Sequence, residues 1–322
     1  MSVKPQYTYP KKIVIGTRGS PLALWQANKV KSEIVNIGQN IEATIRIINT
    51  SGDWCPSDGE RRLDALEGGK AQFAKEIEEA LLAGKIDIAV HSMKDMETIL
   101  PEGLVIPFML PRADCRDAFL SNSSQNIDDL PSGCVVGTAS VRRQAFLLNK
   151  RPDLKVVPFR GNVETRISKL REGQVEATFL AVAGLSRLGL MEEVSSVVDI
   201  DDMLPSVAQG AVGIEVRKDN INKLSFISQF SCLNTILCIE CERAVLRELN
   251  GSCHTPIGVL AQLDNGNIYL RACVISPDGK DKWYREERGE VRSIDDAIAL
   301  GIMVGNHLKQ IVPADIISNK GQ

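Results

Sequence analysis

Over its first two thirds this chain alternates short apolar runs with amphipathic helical stretches, and hydroxyls and bases stand at the junctions between them. Lys12 to Ile15 reads as a buried strand running into Gly16, and Pro21 to Val35 as a helix with Ser20 as N-cap and Pro21 at its first position. Ile41, Ala43, Ile45 and Ile47 alternate with polar residues, which predicts a half-buried strand. Phe73, Ile77 and Leu81 share one helical face, and Gly84 is placed to end that helix. Ile86 to Val90 is a short strand leading into His91-Ser92-Met93-Lys94-Asp95. A second series follows: strand Cys134 to Gly137, helix Ser140 to Asn149, strand Val156 to Phe159, helix Val163 to Leu170, strand Thr178 to Val182. This is the grammar of open α/β sheets.

The style changes toward the C-terminus. A helix spans Asn234 to Leu249, and Ile257 to Leu263 and Ile268 to Ile275 then flank Asp264-Asn265-Gly266-Asn267, a hairpin signal. Pro277-Asp278-Gly279 turns the chain again toward Lys282 to Glu287, and Ser293 caps a last helix to about Leu308. The residues thus predict two α/β lobes plus a small α+β domain with a three-stranded antiparallel sheet. Ligands of open α/β sheets sit at strand carboxyl ends and against helix N-termini. Gly16-Thr17-Arg18-Gly19-Ser20, His91 to Asp95 and Gly137-Thr138-Ala139-Ser140 all lie at such places, the pattern of an anion-binding cleft between lobes.

Net charge is −3, so no global field draws this protein to nucleic acid or an anionic membrane, and affinity for anions must be local. No apolar run approaches the ~20 residues of a membrane span. The N-terminus lacks the apolar stretch of a signal peptide, and the 8 cysteines are too irregularly spaced for a disulfide framework. A cytoplasmic, reducing location is the expectation.

The local bases are arginines. Arg142 and Arg143 fall in the first turn of a predicted helix, where the dipole disfavours cations, so an anion sharing the site makes better sense of them. Arg160 and Arg166 stand at the next strand end and helix, and Arg187 follows a further strand. Several guanidinium forks suit a ligand bearing many carboxylates. Surface salt bridges are the plainer reading for any one of them, but their recurrence at successive strand ends favours a shared site. Asp95, beside Lys94 at a strand end, can hold a developing cation or shuttle a proton; a solvated loop ion pair is the alternative. Cys253, flanked by His254 in a loop bounded by Gly251 and Pro256, is either a nucleophile or attachment point or an inert small hydrophobe. Cys238-Ile239-Glu240-Cys241 has the spacing of a zinc or redox pair but sits in a helical pattern with no second such pair, so core packing is expected and no metal site.

Six stretches, in order, resemble the porphobilinogen deaminase (hydroxymethylbilane synthase) family. They are Gly16 to Ala27, His91 to Asp95, Gly137 to Gln144, Arg160-Gly161-Asn162, Gln209 to Glu215, and Glu242-Arg243-Ala244 followed by Gly251-Ser252-Cys253. The resemblance implies two periplasmic-binding-protein-like lobes with mixed, mainly parallel sheets. Domain 1 would comprise residues 1–110 plus 211–228, domain 2 residues 111–210 and domain 3 residues 229–322. It implies a monomeric transferase of haem biosynthesis that joins four porphobilinogen molecules head to tail with loss of ammonia. The primer would be a dipyrromethane cofactor attached by a thioether to Cys253, from which water releases the linear tetrapyrrole. By the match, Asp95 and Lys94 are catalytic. Arg18, Ser20, Lys70, Ser92, Thr138, Ser140, Arg142, Arg143, Arg160, Arg166 and Arg187 would bind the cofactor and its growing chain. The sequence departs from the family pattern at Ser51, Leu66, Ala71-Gln72, Met96-Glu97 and Ala139. Two rivals stay open: a two-lobed binding protein without enzymatic activity, and a zinc or redox protein built on Cys238 and Cys241.

Overall fold

The structure is a computed structural model that describes residues 7–38, 40–51, 74–251 and 255–318. The first lobe opens with β1 (Lys12–Thr17), α1 (Pro21–Asn36), β2 (Glu42–Ile47), α2 (Lys75–Leu82), β3 (Ile88–Ser92) and β4 (Leu104–Met109). The chain then crosses to a second lobe of β5 (Asp117–Ser121), β6 (Val135–Gly137), α3 (Val141–Lys150), β7 (Lys155–Val157), α4 (Val163–Arg171), β8 (Ala177–Ala181), α5 (Val182–Leu188) and β9 (Ser196–Val197). It returns through β10 (Val212–Arg217), which lies antiparallel between β3 and β4 in the first sheet. The sheet orders are β2-β1-β3-β10-β4 and β7-β6-β8-β5-β9. Each is mixed in equal measure: β1 pairs in parallel with β2 and β3, and β6 with β7 and β8, while the remaining pairings are antiparallel. The antiparallel half has a physical cause. β5 and β10 are the strands that follow a crossing, and each enters its sheet from the opposite end.

Last come α6 (Leu233–Glu248), β11 (Ile257–Asp264), β12 (Asn267–Ile275), β13 (Lys282–Glu290), α7 (Ile294–Ile311) and the short α8 (Ala314–Ser318). The hairpin between β11 and β12 turns on Asn265 and Gly266, both at positive φ (47° and 79°), as a two-residue type I′ turn demands. Ser293 caps α7 in a reciprocal capping box with Asp296. β11–β13 form the expected antiparallel sheet, packed on α6 and α7 over the core of the domain.

Some elements differ from expectation. β7 stops at Val157 because Pro158 cannot donate to the ladder, so Phe159 is instead a buried core residue under α4. β8 ends at Ala181, and the chain passes directly into α5, a helix the apolar run Phe179 to Val182 disguised as strand. β4, β5, β9 and β10 carry no periodic signal, being short, apolar throughout or buried on both faces.

The first sheet is sandwiched between α1 and α2, with Ile13, Ile15, Val30 and Ile214 fully buried on the α1 side and Ile77, Leu81 and Ala89 on the other. The second carries Phe119 and Phe179 in its core, ring centroids 5.7 Å apart, each contributing roughly 1.5–3 kcal/mol by burial. The two crossings are clamped from the third domain. Buried Glu242 of α6 accepts from Arg112 Nη1 at 2.6 Å on one crossing, from Ala208 N at 2.7 Å on the other, and from Ala261 N of β11 at 2.9 Å. The cleft therefore opens between lobes whose hinge is held by one carboxylate.

Candidate active site

One cavity of about 670 Å³ lies between the lobes at the carboxyl ends of β1, β3, β6 and β8. Each wall is the top of a strand. From the first lobe come Arg18 and Ser20 after β1, and Ser92, Lys94 and Asp95 after β3. Ser20 has the cap role its position predicts, accepting from Ala23 N. Gln26 of α1 donates to Ser92 Oγ at 2.8 Å, which fixes that hydroxyl at the cleft edge. Met93–Asp95 forms a single 3₁₀ turn that presents Lys94 and Asp95 half-buried at the cavity wall.

The second lobe supplies Thr138, Ser140, Arg142 and Arg143 from the β6–α3 junction, Arg160 and Arg166 around the start of α4, and Arg187 from α5. Ser140 caps α3 by accepting from Arg143 N, and Thr138 Oγ1 accepts from Ser140 N at 3.1 Å. Asn162 caps α4 through Thr165 N at 2.8 Å, so Arg160 and Arg166 bracket a helix N-terminus. The third domain adds Arg243, and Gly251 and Thr255 on either side of Cys253 also line the cavity. Cys253, His254 and Lys70 lie outside the described residues. The structure brings every described candidate residue into the same cleft.

The paired arginines have an internal anion that sequence reasoning missed. Asp117, the first residue of β5 and wholly buried, accepts from Arg142 Nη2 at 2.7 Å and from Arg143 Nε and Nη2 at 3.1 and 2.7 Å. Burial alone would raise this carboxyl's pKa, but the two guanidinium charges outweigh it and hold the group well below the usual carboxylate range. Arg142 Nη1 further donates to Leu204 O and Arg143 Nη1 to Phe179 O. The pair is thus built into the wall, each arginine at most 6% exposed. No sequence signal marks Asp117, which precedes an apolar run far from α3 in the chain.

Arg187 joins the lobes. Its guanidinium lies 5.6 Å from the ring centroid of Trp25 on α1, and Nη2 donates to Gly210 O at 2.7 Å on the return crossing. Burial pulls its pKa down to about 10, still a cation at neutral pH. Arg243, which the sequence alone does not single out as a site residue, donates to Glu97 O at 2.6 Å and so ties the segment after Asp95 to α6. Met96 is buried in the core beneath the cleft. Cys238 and Cys241 are buried on α6, where burial pushes the Cys238 thiol up to about 11 and Cys241 higher still, as in packing residues and not reactive thiolates.

Residues 13–224 match the family described as porphobilinogen deaminase, dipyromethane cofactor binding domain, and residues 236–310 match porphobilinogen deaminase, C-terminal domain. This chain belongs to the porphobilinogen deaminase family. The porphobilinogen deaminase of Paracoccus denitrificans (strain Pd 1222) is 47% identical over 305 residues, covering 94% of this chain and 95% of that protein. The chloroplastic porphobilinogen deaminase of Oryza sativa subsp. japonica is 47% identical over 305 residues, covering 92% and 83%. The chloroplastic porphobilinogen deaminase of Pisum sativum is 49% identical over 273 residues, covering 83% and 73%. Among solved structures, the methionine binding protein MetQ is 17% identical with a TM-score of 0.42, covering 68% of this chain and 90% of that one. Membership makes the chain a transferase with the family's dipyrromethane-binding domain. No described helix is long and apolar enough to cross a membrane.

Proposed function

We propose that the cleft carries out the hydroxymethylbilane synthase reaction, with Asp95 at its centre and the arginine wall as its anion site. Four porphobilinogen molecules are condensed head to tail with loss of ammonia, and water then releases the linear tetrapyrrole. The observation that carries this reading is the convergence of Arg18, Arg142, Arg143, Arg160, Arg166 and Arg187 on one cavity that also holds Asp95. Each pyrrole unit bears an acetate and a propionate, so a dipyrromethane brings four carboxylates and a full-length chain on the order of a dozen. A lining of guanidiniums and capped helix N-termini is the donor set such a ligand requires.

The residues present fit the cofactor. We assign its attachment to Cys253, supported by Gly251 and Thr255 lining the cavity on either side. Arg18, Ser20, Ser92, Thr138, Ser140 and the arginines of the second lobe would hold its carboxylates, with Lys70 as a further contact. When bound, the dipyrromethane supplies the nucleophilic pyrrole carbon on which chain growth begins. Asp95 accepts a hydrogen bond from pyrrole N–H, stabilises positive charge where ammonia departs, and takes part in moving protons. Lys94, beside it, offsets its charge and binds substrate carboxylate.

We further propose a discontinuous first domain (residues 1–110 and 211–228), a second of 111–210 and a third of 229–322. The return of β10 to the first sheet supports that division. A monomeric cytoplasmic enzyme that acts on a small molecule, without nucleic acid or membrane, accords with the near-neutral charge of −3. Two measurements on purified protein test the function. Porphobilinogen is consumed with release of a linear tetrapyrrole, and intact mass exceeds the sequence mass by two pyrrole units, an increment absent from Cys253→Ser. Protein that consumes no porphobilinogen and carries no increment overturns the reading.

A further inference from the structure

Arg187 differs from the arginine pair in what it rests on. Arg142 and Arg143 close on Asp117, whereas Arg187 lines the same cavity and meets no carboxylate among the described residues. Burial acts on its charge with no neighbouring acid to offset it. Two contacts hold it instead, from different parts of the molecule. Nη2 donates at 2.7 Å to Gly210 O, which also accepts from Ala113 N at 3.2 Å. Gly210 lies on the return crossing and Ala113 on the outgoing one, so the guanidinium is fixed where the two crossings touch. Gly210 has a φ of +88°, and a Cβ there would lie 2.6 Å from Ala113 O, so glycine is what lets the crossings come this close. The second contact is Trp25 of α1, in the opposite lobe, whose ring centroid lies 5.6 Å from the guanidinium carbon. One turn earlier in each helix, Leu22 Cδ2 lies 3.7 Å from where a Cβ on Gly184 would stand, so α1 and α5 touch across the lobes.

Trp25 is 38% exposed and does not line the cavity, so its indole neither fills a core nor meets a ligand there. What it touches is Arg187. Of the five N–H groups of that guanidinium, one is used on Gly210 O and the others have no acceptor among the described residues. Rotation of one lobe against the other about the crossings leaves the Gly210 bond in place but slides the indole along the guanidinium plane. We propose that Trp25 is a positioning residue: carried by the first lobe, it holds the Arg187 guanidinium of the second against the hinge and aims its remaining N–H groups at a carboxylate of the growing chain. The proposal rests on the hydroxymethylbilane synthase reading, in which every added unit brings two further carboxylates. Without the indole, the guanidinium swings about its single bond to Gly210 O and grips the same carboxylate less tightly. No substrate bond is made or broken at Trp25, so its loss falls on binding and not on the chemical step.

The test is a double-mutant cycle on the holoprotein, because coupling between Trp25 and Arg187 is what a purely structural role lacks. Trp25→Leu is expected to raise KM for porphobilinogen roughly 3- to 30-fold with kcat within about twofold, the worth of a partly desolvated cation over an indole. Trp25→Phe, which keeps a ring, should recover most of the loss. In an Arg187→Gln background, Trp25→Leu should change KM no further. An unchanged KM, effects that multiply in the double variant, or a Phe variant no better than Leu overturns the proposal while leaving the reading of the reaction intact. Failure of the unaltered protein to consume porphobilinogen is the different result that removes both. A second readout needs no steady-state turnover: ¹⁹F NMR of holoprotein carrying 5-fluorotryptophan at its 3 tryptophans, Trp25 being the resonance that Trp25→Phe deletes. Arg187→Gln should shift that resonance. Porphobilinogen should shift it in the unaltered protein and not in Arg187→Gln. A Trp25 resonance that porphobilinogen leaves in place overturns the assignment.

Discussion

Arg143 grips a single oxygen of Asp117 with two of its nitrogens, Nε at 3.1 Å and Nη2 at 2.7 Å, and Arg142 holds the other oxygen at 2.7 Å. A cleft lined with guanidiniums is therefore organised around a carboxylate of its own. Gln209 Nε2, on the return crossing, completes the contact at 3.1 Å from Asp117 Oδ1. The arginine wall, the second sheet and the hinge thus meet at one buried residue.

Removing that charge should be expensive. Asp117→Asn leaves two buried guanidiniums uncompensated, and breaking a buried pair this way costs about 3–5 kcal/mol. Urea denaturation should show the loss as a lowered midpoint. A midpoint within experimental error of the unaltered protein would mean the arginines find another anion, most plainly a ligand carboxylate carried through purification, which intact mass would show.

Asp95→Asn should separate chemistry from folding. Asp95 is half-buried at the cavity wall on a 3₁₀ turn, so the isosteric amide is expected to leave the melting temperature nearly unchanged. Porphobilinogen consumption should fall by about 10²–10⁴-fold, the range for loss of a positioned proton-transfer group. A near-normal rate discards Asp95 as the central acid.

Glu78 makes stability depend on pH. Burial, reinforced by the charge of Glu215 and opposed by His91, raises its pKa from 4.5 to about 7. The folded state then holds a proton that the unfolded chain gives up, so stability declines as pH rises from about 4.5 to 7 and is level above that. Glu78→Gln should remove the decline, a gain of about 1 kcal/mol at pH 8 after discounting for the solvent that still reaches the group. Parallel denaturation curves at pH 5 and pH 8 check the sign.

Gly279 is where the third domain docks on the second lobe. Its φ is +79°, and an added Cβ would come within 2.4 Å of Asn149 N on α3, whose side chain donates to Gly279 O at 2.8 Å. Gly279→Ala should cost about 1–3 kcal/mol through this clash and the strained backbone. Local hydrogen exchange should rise at the end of α3 and in the β12–β13 turn. Uniform destabilisation without that local signature would place the strain elsewhere.

Much of the first lobe and third domain was legible because their elements have a clean period or a clean stop. Ser20-Pro21, Asn265-Gly266 and Ser293 each announce a boundary through chemistry that acts within a few residues. β5 and β10, buried on both faces, and β4, apolar throughout, have no alternation to read, and β10 joins its sheet only after the whole second lobe has been traversed. Arg142 and Arg143 were recognisable as needing an anion, but not which one. Asp117 is 25 residues from Arg142 and bears no local mark. The same holds for Glu242, whose clamp on both crossings depends on α6 packing over the hinge, and for Glu215, whose approach to His91 depends on strand register.

By itself, then, the order of residues determined the α/β lobes, the antiparallel third sheet and the list of basic and hydroxyl side chains that line one cleft. Those are matters of helix and strand period, caps, turns and charge type, all settled over short distances along the chain. Only the tertiary structure decided that the arginine pair encloses an internal aspartate, that one glutamate holds the hinge, and that His91 meets Glu215 across neighbouring strands. Such contacts join residues far apart in the chain, and their energy depends on burial and register, which exist only once the sheets have formed.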